Sequence, residues 1–333
     1  MLAALWWAWG AFAWLTNYIA AEEGKERLLM FAVMGAFLVA ALATPQAFGD
    51  DALIFGVAYA AARWLHIFIF AEANDDLDAG QAIARLARTA IPGPTLLIVA
   101  GLTEGTLQAV LWIVALAIDY SGPYVFGVRG FRVSPGHFSE RFSLIVIIAL
   151  GESIVAIGTG VHGDLDAGVL TAAALGLVVS AALWWAYFDV VAVVAERRFR
   201  NMEPELRVRI ARDSYSYLHL PMIAGIVLLA LGAKKTVAHV DEPLDTIPAV
   251  ALFGGISLYY AGHVAFRLRN LHTINRVRLT ALAISLALIP LATEVDALIA
   301  LALAAVLTAS VIAYEAIHFR EARHRIRFEE GGV

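Results

Sequence analysis

The middle of the chain contains the segment His137-Phe-Ser-Glu140-Arg141-Phe-Ser-Leu-Ile-Val-Ile-Ile-Ala-Leu-Gly151-Glu152-Ser153-Ile-Val-Ala-Ile-Gly158. After Arg141, the only charged residue up to residue 160 is Glu152. About 20 predominantly apolar residues suffice for an α-helix to cross the hydrocarbon core of a bilayer, which is about 30 Å thick. The pattern therefore predicts a membrane-spanning helix over residues 141–160.

Similar apolar runs recur along the whole chain. Of its 333 residues, 61% are hydrophobic and 16% are charged, with a mean hydropathy of +0.75. A soluble domain has about 45–50% apolar residues. The sequence predicts an all-α, polytopic transmembrane bundle with no separate soluble domain. Its eleven predicted spans are 3–20, 28–46, 52–71, 84–102, 105–121, 141–160, 168–194, 214–233, 247–266, 277–293 and 296–317.

The positive charges predict the orientation of these spans. All but three of the 24 Lys and Arg residues lie in the odd-numbered gaps, within the first few residues of the spans next to those gaps, or in the C-terminal tail. The exceptions are Lys234 and Lys235, in an even-numbered gap, and Arg63, inside the third span. Cytoplasmic loops carry an excess of Lys and Arg. We therefore expect a multi-pass protein of the bacterial inner membrane, with its C-terminus in the cytoplasm and the N-terminus of this chain outside.

Several function classes lack their sequence signals. The chain has no cysteine, which excludes disulfides, thiolate metal sites and cysteine nucleophiles. It contains no Walker loop, dinucleotide fingerprint or His-Glu-x-x-His motif. The sequence thus predicts no cofactor and no metal, favours a non-enzymatic role, and gives no reason to expect nucleic acid as a partner. The basic segment 197–212 faces the inner leaflet in this topology, so anionic lipid is its expected partner.

Marker sequences occur twice in the same order, about 180–200 residues apart. They are Leu5-Trp6-Trp7-Ala8-Trp9 with Leu183-Trp184-Trp185-Ala186-Tyr187, Phe55-Gly56 with Phe253-Gly254, and Arg85-Leu-Ala-Arg-Thr-Ala90 with Arg276-Val-Arg-Leu-Thr-Ala281. Spans 1–5 would then correspond to spans 7–11. This order predicts two parallel six-helix repeats, the first lacking its first helix. The predicted domains are 1–127 (first membrane repeat, five spans), 128–318 (second repeat, six spans) and 319–333 (basic cytoplasmic tail).

Segment 137–158 resembles the signature of the bacterial low-temperature-requirement A (LtrA) family. In that signature a His-Phe-x-Glu-Arg-Phe start leads to an apolar run ending in Leu-Gly-Glu-Ser. Leu-Trp-Trp-Ala-Trp at residue 5, Arg27-Leu-Leu-Met30 and Pro45-x-Ala-Phe48 are also similar to the family, so the resemblance covers essentially the whole chain. The family usually opens with a Glu-Leu-Phe-Phe-Asp-Leu-Val-Phe helix, which this sequence lacks; we expect it to be the helix missing from the repeat. The family name refers to a growth phenotype and implies no reaction.

Two opposite charges are predicted at the middle of the membrane. Glu152 and Arg63 each lie about eleven residues into their spans, where a charge costs about 2.5–3.5 kcal/mol even on insertion scales. Our hypothesis is that Glu152 lines a polar path between the two membrane repeats, with Arg63 as its partner or gate. A structural ion pair, or no contact at all, are the alternatives. Ser153 lies on a face of small residues, and Gly151 and Gly158 would permit close approach of another helix.

Further polar residues lie near the predicted cytoplasmic ends of the spans. His137, Glu140 and Arg141 form the mouth of span six, where His137 is able to sense cytoplasmic pH; helix capping and interfacial anchoring are equally compatible with the pattern. Asp119 and Asp189 either extend the polar path of Glu152 as a proton relay or lie at solvated helix ends. For the remaining groups inside spans the sequence favours interhelical hydrogen bonds or interfacial positions over a relay: His66, His219, His263 and Glu315.

The sequence favours a secondary transporter or channel-like permease for an ion or small solute. The alternatives are a membrane-embedded enzyme or lipid-handling protein acting at Glu152, and a structural stress protein without transport. The candidates for the transport path are Glu152, Arg63, His137, Glu140, Arg141, Ser153, Asp189 and Asp119.

Overall fold

The computed structural model describes residues 1–19, 24–73, 77–161 and 164–325. Within these ranges it has α-helices and no strand, which confirms the all-α prediction. The α-helices are α1 (Leu2–Leu15), α2 (Gly24–Ala43), α3 (Ala52–Glu72), α4 (Leu77–Ala90), α5 (Pro92–Ala100), α6 (Gly105–Val125), α7 (Pro135–Thr159), α8 (Ala167–Phe188), α9 (Val191–Arg200), α10 (Pro204–Ile210), α11 (His219–Ala238), α12 (Thr246–Ala249), α13 (Gly255–Leu271), α14 (Arg276–Ala292), α15 (Ala297–His318) and α16 (Arg320–His324). A 3-10 turn covers Thr44–Gln46, and two π-helical segments cover Ala211–Tyr217 and Val250–Gly254.

The helices group into two units. The first comprises Met1–Phe138 and Glu203–Arg212, and the second comprises Ser139–Met202 and the chain from Asp213 onward. The division by contacts falls inside α7, and the predicted boundary after residue 127, which marks the end of a sequence repeat, stays a prediction. The two-repeat organisation itself stays a prediction.

Nine helical segments within the described ranges are long and apolar enough to cross a membrane. The other two predicted spans, the first and the tenth, correspond to α1 and α14, which have 14 and 17 residues. Both are shorter than the roughly 20 residues that a perpendicular crossing needs. A count of eleven spans therefore stays a prediction.

Two predicted spans are interrupted helices. The fourth is divided at Ile91, where α4 ends and α5 begins with Pro92; Pro92 and Pro94 lack the N–H groups that a continuous helix needs. The seventh is divided between Asp189 and Val190, where α8 ends and α9 begins. Asp189 is therefore at a helix break and not inside a continuous span.

The surface is unusually apolar. Leu28, Leu42, Ile113 and Val125 are each 67–71% exposed, although they lie in helices of membrane-spanning length. Large exposed apolar surfaces in soluble monomers are rare and mark contact with another apolar phase. The helices thus direct apolar side chains outward, as lipid contact requires.

Glycines allow close helix packing in the second unit. A Cβ added at Gly225 of α11 would lie 2.5 Å from the carbonyl oxygen of Gly255 in α13. By contrast, a Cβ at Gly151 or Gly158 of α7 meets no atom of the described structure within 4 Å. No described helix therefore uses Gly151 or Gly158 for close packing, because both lie on an exposed side of α7, and their role in admitting a neighbouring helix stays a prediction.

Candidate functional site

The first unit contains a fully buried ion pair between α3 and α6. Arg63 Nη2 donates to Asp119 Oδ1 at 2.9 Å, and the two side chains are 1% and 2% exposed. The Tyr59 hydroxyl, one turn earlier on α3, donates to Asp119 Oδ2 at 3.0 Å. Both carboxylate oxygens of Asp119 are thus occupied. Asp119 does not lie at a solvated helix end.

The guanidinium of Arg63 is only partly satisfied. Its Nε and Nη1 are buried and have no hydrogen-bond partner within the described structure. His66, at the next turn of α3, is also buried, and its Nδ1 has no partner within the same residues. Within the described ranges Arg63 therefore has two unused donors, and His66 has an unpaired ring nitrogen one turn further along α3.

The predicted partnership of Arg63 with Glu152 is not observed. Arg63 pairs with Asp119, which reaches it from α6 of the same unit. Glu152 is exposed on α7, and no ion pair within the described ranges includes it. Equal depth in the membrane does not specify which way each side chain points around its helix, so depth alone does not distinguish the carboxylate of Glu152 from that of Asp119.

The other candidates on α7 have separate surroundings. Ser153 is buried against α8, where its hydroxyl donates to the Leu150 carbonyl at 2.6 Å and lies 3.2 Å from the Ser180 hydroxyl. His137 and Arg141, near the start of α7, are half-buried, and Glu140 is exposed. Ser153 therefore takes part in helix packing, and the predicted mouth is located in the first two turns of α7.

The second unit contains its own ion pair, between α14 and α15, in which Arg278 is buried and Glu315 is half-buried. Arg278 donates to both oxygens of Glu315, from Nε at 3.0 Å and from Nη2 at 2.9 Å. Asn275 Nδ2 donates to Glu315 Oε1 at 2.8 Å. Arg278 also donates to His263 Nδ1 at 2.8 Å and to the Ala186 carbonyl at 3.0 Å. Arg278 is thus held from three sides, and Glu315 is part of this network rather than a free interfacial group.

Two further predicted residues are located in the second unit. Asp189, at the helix break, pairs with Arg323 of α16 at 2.6 Å. His219 donates from Nδ1 to the Ser214 carbonyl and shares a hydrogen bond of 2.9 Å with the Tyr187 hydroxyl. The His219 contact joins α11 to α8, which is the interhelical role that the sequence favoured for membrane histidines.

A cavity of about 570 Å³ lies beside the Arg278–Glu315 pair. It is bounded by the α8–α9 break, the C-terminal part of α13, the start of α14 and the ends of α15 and α16. Its volume is in the range of small-molecule sites. The cavity lies entirely within the second unit.

The comparison with known families identifies the chain. The family model described as bacterial low temperature requirement A protein matches residues 1–313. The chain belongs to the LtrA family. Together with the nine apolar helices within the described ranges, this membership makes it an integral membrane protein.

One curated relative of this LtrA protein is an uncharacterized protein, RA0937, from Rhizobium meliloti (strain 1021). It is 32% identical over 272 residues, which are 78% of this chain and 66% of the relative. The chain thus spans slightly less than two thirds of that protein's length. No solved structure matches the chain.

Sequence reasoning did not select Arg278 or Asn275 as site residues. The predicted repeat contained a signal for Glu315 only, because Glu315 follows Asp119 at a separation within the 180–200 residues of the repeat. Each carboxylate binds an arginine, but Arg63 comes from α3 and Arg278 from α14. The repeat pattern therefore pointed to the acids and not to their basic partners.

Proposed function

We propose that this LtrA protein is a secondary transporter or channel-like permease that moves an ion or small solute across the bacterial inner membrane. In this proposal the passing solute contacts Arg63, while Asp119 and Tyr59 hold the guanidinium in place. The absence of a Walker loop from the sequence favours transport without ATP hydrolysis by this chain.

The incomplete hydrogen bonding of Arg63 carries the proposal. An ion pair that only holds helices together is expected to satisfy its donors, because each unsatisfied buried group costs about 1–3 kcal/mol. Arg63 leaves Nε and Nη1 without a partner in the described ranges, although its side chain is 1% exposed. Ionisable residues inside membrane helices commonly mark ion or substrate pathways.

Flux measurements in proteoliposomes test the role of this cluster. Wild-type protein is assayed with protons, potassium, sodium and chloride, beside the triple variant Tyr59→Phe, Arg63→Met, Asp119→Leu. The variant replaces the buried polar cluster with apolar side chains, an exchange that is often tolerated. We expect wild type to carry at least one of the four ions and the folded triple variant to fall to the level of empty vesicles.

The matched control is Ser285→Ala, which removes another buried hydroxyl, one that donates to the Phe253 carbonyl at 2.7 Å. This variant should retain wild-type flux. A folded triple variant with wild-type flux would show that the Arg63–Asp119 pair is structural. Wild type that carries none of the four ions would contradict the proposal for ions.

We also propose that Glu152 lines the transport path, together with His137, Glu140 and Arg141. Flux through Glu152→Gln in the same vesicles tests the role of Glu152, since an exposed carboxylate is neutralised at little cost in stability.

The alternative functions have different readouts. A chemically modified lipid without flux would indicate a membrane-embedded enzyme, and a change in stability alone would indicate a structural protein.

A further inference from the structure

The cavity in the second unit has an excess of positive charge. Five arginines line it: Arg198, Arg267, Arg276, Arg278 and Arg323. Its two carboxylates are both used internally, since Glu315 pairs with Arg278 and Asp189 pairs with Arg323. No ion pair within the described ranges includes any of the other three arginines. The lining therefore has a net charge of +3.

The polar floor of the cavity is preorganised. Arg278 is 6% exposed and is fixed by Glu315, His263 and the Ala186 carbonyl. His263 is 2% exposed, and its Nε2 has no hydrogen-bond partner in the part of the chain that the structure describes. A buried polar atom without a partner is rare in native proteins and calls for a specific explanation, such as a ligand.

The remaining wall of the cavity is apolar. Val191 and Val194 of α9, Phe266 and Ile274 around the end of α13, and Phe319 after α15 line it. A free inorganic anion would gain nothing from contact with apolar side chains. A ligand with an anionic head and an apolar body would contact both the arginines and the apolar wall. Guanidinium groups bind phosphate in a bidentate manner and are the preferred side chains for this purpose.

From this juxtaposition we propose that the cavity binds the phosphate headgroup of an anionic phospholipid. Arg198, Arg267 and Arg276 contact the phosphate, and the apolar wall contacts the glycerol and the first acyl carbons. In the topology predicted from the positive charges these arginines lie on the cytoplasmic side, where anionic headgroups attract basic clusters. The proposal does not depend on transport.

The test measures lipid binding to the full chain in an uncharged detergent by native mass spectrometry. The probes are phosphatidylglycerol, phosphatidylcholine with the same acyl chains, and inorganic phosphate as a competitor. The site variant is Arg198→Gln, Arg267→Gln, Arg276→Gln. The matched control is Arg209→Gln, Arg320→Gln, Arg325→Gln, which removes the same charge from exposed arginines that do not line the cavity.

We expect the site variant to bind phosphatidylglycerol roughly a hundredfold more weakly, as the loss of three cationic contacts predicts. The control should stay within about twofold of wild type, because its arginines lie outside the cavity. Equal losses in both triple variants would overturn the site and indicate general surface attraction. Equal binding of phosphatidylcholine would overturn the requirement for an anionic lipid.

A second variant tests the apolar wall. Val194→Trp fills part of the cavity without changing the charge, and we expect it to weaken phosphatidylglycerol binding by about tenfold or more through steric exclusion. Unchanged binding in this variant, or displacement of the lipid by millimolar inorganic phosphate, would overturn the lipid assignment in favour of a free anion. Helix content by circular dichroism confirms that each variant is folded.

Discussion

Replacement of Asp119 by leucine is expected to lower the free energy of unfolding by about 3–5 kcal/mol. The substitution leaves Arg63 buried without its counter-charge, and breaking one side of a buried pair costs far more than the pair contributes. It also removes the acceptor of the Tyr59 hydroxyl. The measurement is the unfolding transition in mixed micelles of dodecyl maltoside and dodecyl sulfate, followed by circular dichroism.

The triple variant Tyr59→Phe, Arg63→Met, Asp119→Leu is the control for this experiment. It removes the unpaired Arg63 charge and the unpaired Tyr59 hydroxyl together, so its free energy of unfolding should return to within about 1–2 kcal/mol of wild type. If Asp119→Leu alone costs less than about 1 kcal/mol, Arg63 is not held in a desolvated site, and the assignment of the pair to a transport path loses its basis.

The second large effect is expected at the contact between α11 and α13. In Gly225→Ala the new Cβ would lie 2.5 Å from the Gly255 carbonyl oxygen and 2.6 Å from the Tyr259 nitrogen. Both are backbone atoms, so relief requires that the two helices move apart. Overpacking typically costs about 1–3 kcal/mol, and we expect the upper part of that range in the same unfolding assay.

Gly158→Ala is the matched control, because it makes the same chemical change on α7. No atom of the described structure lies within 4 Å of a Cβ there. Alanine favours the helix over glycine by about 1 kcal/mol, so this variant should be equal to or slightly more stable than wild type. A loss of stability at Gly158 as large as that at Gly225 would mean that α7 packs against another surface through this face.

Fold class and family were readable from the sequence. Apolar length is a property of consecutive residues, and the bilayer selects for it directly, so helices over most of the predicted spans follow from composition alone. The LtrA resemblance needed only the local motif at residues 137–158 and its companions. The helix breaks were not predicted: the fourth and seventh spans were predicted as continuous, although Pro92 marks the first break in the sequence, and nothing local marks the second, after Asp189.

Side-chain partners required the tertiary structure. Successive residues of a helix point about 100° apart, so depth along the membrane does not specify whether a side chain faces a neighbour or lipid. For that reason Arg63 meets Asp119, 56 residues away, instead of Glu152. The close helix approach likewise lies at Gly225 and Gly255, not at Gly151 and Gly158. Hydrophobicity and charge are properties of consecutive residues and can be read from the sequence, whereas contacts depend on the rotation of each helix and on its neighbours.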